Sequence, residues 1–471
     1  MGLGLLQLMA TGPQDKFLTG NPKISFFKHI YRNHCNFGIE QYYQEFKGEK
    51  TFGKKIKCIL EKKGDLLRSM YIVFEVSQDT YKIPKLGLRL IDYVEIQIGG
   101  QLIDRHYGEW MDIWTQLNYS FAKYQLFKTM MKDRYNNVIF KNNSNKIYVP
   151  LLFWFNLNPG LALPLVALQY HEVVIYLKIK DLQDLSVQTY TEWDEPILAD
   201  GLNNPIWYDA SGAKNTLSGT EISDMSVLNS ESFLDNNSIG NTNIPSVTPA
   251  DHKWHKVDFK GAIKNVYMVC EYIYLDVMEK RLFTSNKIEY LITQVQTTKK
   301  LDLPQLTKTI SSARIEVPLY FNQPIKELIW AVYPSWLDNL LYYKNMDFTN
   351  TLTNIELYAN NNRLTEITDF NFFSQVWPHQ HYKCGGFINP GFTINLNGGF
   401  FTYSFSLNPD GLQPSGSLNF SKLNDFRINF TYHKTDNDFS EIAEPFKILV
   451  FGTNYNILKI HKGMGGVLYS N

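Results

Sequence analysis

The apolar residues of this chain fall into short runs, many alternating with a period of two, and the runs form two long series with a polar stretch between them. A period of two sends successive side chains to opposite faces of an extended strand, so the pattern points to half-buried sheets rather than helices. In the first series Val94, Ile96 and Ile98 alternate with Glu95 and Gln97, and Val173, Ile175, Leu177 and Ile179 repeat the pattern. Met70-Tyr71-Ile72-Val73-Phe74-Glu75-Val76 reads as a buried strand. Gly99-Gly100 separates two such runs and supplies the positive φ angles of a two-residue hairpin. One helix interrupts the series, with Trp110, Ile113, Trp114 and Leu117 at i, i+3, i+4 and i+7. The second series runs from about 290 to 471 and includes Ile325–Val332, Ile355–Tyr358 and Phe426–Phe430.

Composition supports this reading. Aromatic residues make up 15% of the chain, with 31 Phe and 29 Tyr, and strands favour aromatic and β-branched residues. These aromatics read as core packing rather than as platforms for bases. A chain of 471 residues exceeds one ordinary core. Two successive β-rich halves with short strands and polar turns suggest two sandwiches or jelly rolls. No short repeat period is visible.

Residues 1–24 lack periodicity and carry turn signals at Gly12-Pro13 and Gly20-Asn21-Pro22. They read as an arm, apolar at Leu3, Leu5, Leu6, Leu8 and Met9, and exposed apolar segments of this kind mark contacts. Strand signals begin at about residue 37. From about 184 to 257 the chain is rich in Asn, Ser, Asp and Gly, a polar insert too poor in apolar residues to build a large core.

Lys plus Arg and Asp plus Glu both number 46. That balance argues against direct coating of nucleic acid, which needs an excess of cations, and leaves room for local basic patches. Cys35, Cys58, Cys270 and Cys384 are scattered, so a disulfide framework is not expected. No apolar window approaches the length of a membrane span. The start of the sequence lacks the basic region of a signal peptide, and Gln7 breaks the myristoylation pattern at Gly2.

Motifs with chemical potential are weak. His379-x-His381-x-x-Cys384 offers three ligand types, but zinc sites gather about four, usually in pairs. His252-x-x-His255 lacks the glutamate of the zincin motif. Gly463-x-Gly465-Gly466 lacks the third spaced glycine of a dinucleotide fingerprint. Neither a phosphate-binding loop nor a nucleophile elbow occurs. The expectation is therefore no catalytic, cofactor-binding or metal-binding residue, no cofactor and no enzymatic activity. Sequons stand at Asn118, Asn142, Asn236, Asn419 and Asn429, and in an Asn-rich chain they read as chance.

Six blocks then carry a resemblance. Leu18-Thr19-Gly20-Asn21-Pro22-Lys23-Ile24-Ser25-Phe26-Phe27-Lys28 is followed by Tyr31-Arg32 and Asn36-Phe37. Val94–Asp104 holds Ile98-Gly99-Gly100 and Ile103-Asp104. Val149–Phe155 leads into Pro159-Gly160-Leu161-Ala162-Leu163-Pro164-Leu165-Val166-Ala167-Leu168-Gln169-Tyr170-His171-Glu172-Val173. Tyr272–Asp276 and Glu289–Gln296 come next, then Tyr403–Leu407 with Gln413–Ser421, and finally Asn454–Leu458 with Gly463–Gly466. In this order they resemble the major capsid proteins of nucleocytoplasmic large DNA viruses, with Ser25 and Asn33 as departures from the opening signature.

The resemblance implies an all-β double jelly roll: two tandem eight-stranded jelly rolls with short helices in loops. The expected domains are an N-terminal arm over 1–24, a first jelly roll over 25–285 containing the 184–257 insert, and a second over 286–471, with the linker near 284–296. It implies a homotrimer with a pseudo-hexameric outline, a capsomer that tiles an icosahedral virion shell and meets neighbouring capsomers and minor capsid and penton proteins. It also implies proximity to an internal viral membrane, assembly in the host cytoplasm, and an insert on the capsomer's outer face. Within the blocks, Pro159-Gly160 and Pro164 should hold the apolar run 161–168 as a loop or short helix, and Gln413–Gly416 suits a β-turn. The alternatives are a minor capsid paralogue, a jelly-roll binding module of lectin or cupin type, and a jelly-roll enzyme.

Overall fold

A computed structural model of the chain describes residues 3–13, 15, 19–29, 31–77, 85–131, 146–185, 187–191, 206–208, 214–216, 253–257, 261–302, 312–334, 352–382, 400–433 and 446–469. It divides into two units, Met1–Gly38 and Ile39–Asn471. The small unit holds helix α1 (Leu3–Met9), and Asp15 and Thr19 are also helical. It is longer than the arm expected over 1–24. Among the described residues of 25–36 none is in a strand, and Phe26, Phe27 and Tyr31 are among the most exposed large apolar side chains described.

The first roll begins with strands β1 (Phe37–Glu45), β2 (Lys55–Ile59), β3 (Leu66–Val76), β4 (Ile91–Ile98), β5 (Gln101–Tyr107), β6 (Lys146–Pro150) and β7 (Val173–Ile179). The polar insert follows. It opens and closes as an antiparallel ribbon of β8 (Val187–Thr191) and β11 (Lys253–Val257), and contains a hairpin of β9 (Ile206–Tyr208) and β10 (Lys214–Thr216). Strand β12 (Ile263–Leu275) completes the roll. Two four-stranded sheets result, in the orders β1-β12-β3-β6 and β2-β7-β4-β5. Strand β7 buries Val173, Ile175, Leu177 and Ile179, the face its alternation predicts. Gly99 and Gly100 take φ of +57° and +82° between β4 and β5, the two positive angles of a type I′ turn. Helix α2 (Leu86–Arg89) precedes β4, and α3 (Gly108–Asn118) and α4 (Phe121–Met130) follow β5. The block after β6 forms α5 (Trp154–Leu157) and two 3₁₀ turns, Pro159–Leu161 and Leu165–Ala167, consistent with its prolines.

Helix α6 (Val277–Ser285), capped by Asp276 accepting from the amide of Glu279, joins the rolls. Strand β13 (Ile288–Thr297) pairs along its whole length with a later strand, so the connection spans 276–287 and overlaps the expected 284–296 only over 284–287.

The second roll continues with β14 (Leu301–Asp302), β15 (Ser312–Pro318), β16 (Pro324–Pro334), β17 (Leu352–Ala359), β18 (Asn362–Arg363), β19 (Phe400–Ser404), β20 (Leu418–Asn419), β21 (Phe426–His433), β22 (Phe446–His461) and β23 (Met464–Val467). Helix α7 (Trp377–His381) lies between β18 and β19. One sheet runs β13-β22-β16-β19, with the short β14, β20 and β23 alongside, and the other runs β15-β21-β17-β18. Counting the eight main strands of each roll in chain order, both give the sheets 1-8-3-6 and 2-7-4-5. The two halves therefore wind identically as jelly rolls.

The β13-β22-β16-β19 sheet is buried on both faces. Along β16, Leu328, Trp330 and Val332 enter the core inside the second roll, while Ile329 and Ala331 enter the core that is continuous with the first roll. Along β22, Ile448 and Val450 point one way and Leu449 and Phe451 the other. A strand covered on both sides reads as an unbroken apolar run, as Leu328–Val332 does. Each buried Leu, Ile or Phe contributes about 1.5–3 kcal/mol, so this sheet fastens the rolls into one body.

Candidate functional site

The sequence blocks meet where the two rolls touch. Strand β5, set by the Gly99-Gly100 turn, presents Asp104 and His106, both buried. Asp104 accepts from the amide of Val295 on β13 at 3.0 Å, and its other oxygen lies 2.8 Å from His106 Nε2. The His106 ring stacks on Phe153 at 4.5 Å and lies 4.4 Å from Trp110. Gln294 donates to the carbonyl of Ile103. Its oxygen accepts from Asn456 at 2.8 Å and from Asn454 at 3.3 Å, and Asn454 also donates to Gln323 at 2.9 Å. Buried amides are costly unless paired, so a satisfied network at a seam admits one register between the rolls.

A second patch of the seam is backbone against backbone. The β22–β23 hairpin of the second roll lies on the block Leu168–His171 of the first. Tyr170 donates its amide to the carbonyl of Gly463 at 2.9 Å, and His171 Nδ1 lies 2.9 Å from the carbonyl of Gly465. The amide of Val467 donates to Gln101 at 3.2 Å. A Cβ on Gly465 would stand 2.6 Å from Leu168, so the glycine-rich segment is a close-packing surface and no nucleotide loop. Sequence reading singled out these blocks one by one and did not foresee that they converge. Their joint signal, buried-type amides at Gln294, Asn454 and Asn456 within strand-like runs, was present.

A cleft of about 570 Å³ opens between the rolls beside this seam, lined by Arg68, Trp110 and Trp154 of the first roll and Asp410, Thr453 and Tyr455 of the second. Of its cations, Arg68 pairs with Glu271 at 2.6 Å, Lys326 donates to the carbonyl of Pro409 at 2.7 Å, and Lys123 lies over the Tyr119 ring at 3.9 Å. No activated nucleophile with a neighbouring base lines it among the described residues.

The first roll also buries charge. Lys85 meets Asp112 at 2.6 Å and Lys180 meets Glu109 at 3.0 Å, all four side chains being nearly inaccessible. Burial alone would raise the Glu109 pKa, but Lys180 and Lys300 outweigh it and hold the carboxyl below its ordinary range. Glu95, also pushed up by burial, is held down by Lys55 at 2.7 Å and Arg105 at 2.6 Å. Asp92 has no such direct partner, and burial raises its pKa.

Residues flagged for chemistry are scattered. His379 and His381 lie on α7, where His381 stacks on Trp377 at 4.6 Å. Cys384 and His252 lie outside the described residues, and His255 lies on β11. Among the described residues no three His, Cys, Asp or Glu side chains gather as a metal site. Cys58 and Cys270 are buried free thiols, and burial pushes the Cys58 thiol up to about 12, where it is a poor nucleophile. Cys35 is exposed. Of the sequons, Asn429 is buried and Asn118 donates to the carbonyl of Trp114 at 3.0 Å, Asn419 is exposed, and Asn142 and Asn236 lie outside the described residues. The turn expected at Gln413–Gly416 falls instead at Pro409-Asp410. The chain returns past it with Ser415 hydrogen-bonded to the backbone of Asn408.

Two identically wound rolls locked along one seam define a double jelly-roll protein. Residues 25–235 match the family described as major capsid protein N-terminus, and residues 279–466 match that of the large eukaryotic DNA virus major capsid protein. The major capsid protein of Pyramimonas orientalis virus is 32% identical over 492 residues, covering 100% of both chains. That of Paramecium bursaria Chlorella virus 1 is 29% identical over 528 residues, again covering 100% of both. The crystal structure of PBCV-1 VP54, fitted into a reconstruction of the virophage Sputnik, matches with a TM-score of 0.65 at 25% identity, over 95% of this chain and 100% of that one. The chain belongs to the major capsid protein family of large eukaryotic DNA viruses. Its role is structural, and its place is the virion capsid shell.

Proposed function

We propose that three copies associate as a homotrimeric capsomer with a pseudo-hexameric outline, and that these capsomers tile an icosahedral shell without any catalytic step or bound metal. The observation that carries this reading is the shared 1-8-3-6 and 2-7-4-5 winding of two rolls joined by a doubly buried sheet. Three such bodies offer six similar sandwiches around one axis, an outline that packs hexagonally although the true symmetry is three-fold. Neighbouring capsomers and minor capsid and penton proteins are the partners this role requires, and the polar insert, entering and leaving by one ribbon, suits the outer face. Native mass spectrometry of the purified protein is expected to give a trimer of the 54.7 kDa chain. A species that stays monomeric at all concentrations under native conditions would sink the reading.

A further inference from the structure

The first unit of the chain differs in kind from the rest. Residues 1–38 hold Lys16, Lys23, Lys28 and Arg32 against the single acid Asp15, a net charge of +3 in a chain whose total is zero. The same unit exposes aliphatic side chains on α1, with Leu8 at 75% and Met9 at 65%. Further on it exposes Ile24, Phe26, Phe27 and Tyr31, Phe27 being 99% exposed. Among the described residues none before Tyr42 packs in or against a buried core cluster. Large apolar groups left in water beside an excess of cations need a surface that is anionic and has an apolar interior.

We propose that this N-terminal unit binds an anionic lipid surface, with Lys23, Lys28 and Arg32 at the headgroups and Phe26, Phe27 and the α1 leucines entering the acyl boundary. Lys23, Lys28 and Arg32 are interleaved with Ile24, Phe26, Phe27 and Tyr31, so one short segment delivers both kinds of contact together. Another copy of this chain is a poorer match for the charge. Residues 39–471 carry the compensating −3 over more than four hundred positions, whereas an anionic leaflet attracts each basic residue close to its surface. Nucleic acid has the charge density, and aromatic rings could stack on its bases, but Leu5, Leu6, Leu8 and Met9 have no π-face to offer. The exposed aliphatic groups favour hydrocarbon.

The proposal names one partner of the shell protein and rests on the capsid reading only for where that lipid lies. Its test uses the full chain and sedimentation with vesicles of phosphatidylcholine, with and without phosphatidylserine. Binding to the serine-containing vesicles is expected to exceed binding to phosphatidylcholine at least about tenfold and to weaken with salt. F26S/F27S and K23E/K28E/R32E are each expected to lower it at least about tenfold. Both sets of changes lie outside every buried core cluster, so circular dichroism and native mass should match the parent protein. Equal binding to both vesicle types, undiminished binding by either variant, or retention of duplex DNA with no retention of vesicles overturns the proposal. Because oligomeric state is measured on the same samples, vesicle binding can fail while the trimer stands, and the two readings are separable.

Discussion

In the first roll the connection from the seventh to the eighth main strand spans residues 180–262 and carries a ribbon and a hairpin, whereas in the second it spans 434–445. The fifth-to-sixth connection holds α3 and α4 in the first roll and the short α7 in the second. The strand order is the same in both. The difference separates what fixes a jelly roll from what it tolerates. Ladder pairing and the inward apolar face determine the order, while loop length costs little, about 0.6 kcal/mol for each doubling. The rolls differ also in their buried charge. The first has close pairs, Lys85–Asp112 and Lys180–Glu109. In the second, Lys326 stands 3.7 Å from Glu327, and the carboxylate accepts instead from the Tyr382 hydroxyl at 2.5 Å.

The comparison breaks if the rolls prove independent, and Phe451 tests that most severely. Phe451→Ala removes a ring from the core continuous with the first roll and is expected to cost about 3–5 kcal/mol. Scanning calorimetry should show the unfolding of both rolls shifted together. A first-roll transition left at its original temperature would mean that the seam does not couple them.

The charged pairs sharpen the contrast. Lys85→Met leaves Asp112 buried without its cation, for an expected loss of about 3–5 kcal/mol, somewhat eased because Gln116 still donates to that carboxylate at 2.9 Å. Denaturant unfolding of the variant measures it, and a change within error would remove the Lys85–Asp112 pair from the account.

The smallest effect is the response to acid. Glu95 and Glu109 have folded pKa values below their unfolded ones, so their stabilisation is complete above the ordinary carboxylate range, about pH 4.3, and is lost as pH falls through the lowered values. Asp92, raised by burial, works in the opposite sense and blunts the loss. Melting temperature is expected to fall below about pH 4.3, and less steeply in Glu95→Gln. An equal slope in the variant would remove Glu95 from the account.

Much of this architecture was legible in the sequence because local rules governed it. The alternation in β7 and the Gly99-Gly100 turn gave their elements directly, and the i, i+3, i+4, i+7 spacing placed α3. Illegible were relations made by distant pairing. The common winding depends on contacts such as Val266 with Phe74 and Leu328 with Gly452, which leave no repeat in the chain. The linker range 284–296 came with the resemblance, and from residue 288 onward it falls on β13. The turn at 413–416 was misread because Pro and Gly there serve a returning loop. The seam was invisible as a site because it is assembled from four of the six blocks, each of which has a sufficient local explanation.

Synthesis runs against the grain of the doubly buried sheet. Strand β22 pairs with β13, β14, β16 and β23, and all of these but β23 leave the ribosome before it does. Strand β13 therefore emerges with its long-term neighbour still untranslated, and Leu328–Val332 waits with apolar side chains on both faces uncovered. The first roll can close its own two sheets meanwhile, since chains fold from the N-terminus as they are made. The second cannot, and the surface that joins them matures only when Phe446–His461 arrives. Over the interval between β16 and β22 the growing polypeptide thus carries a two-sided apolar strand that can pair with β19 and β20 along one edge while its other edge stays open. That interval is the period of greatest exposure to aggregation, and the stage at which a chaperone would have most to cover.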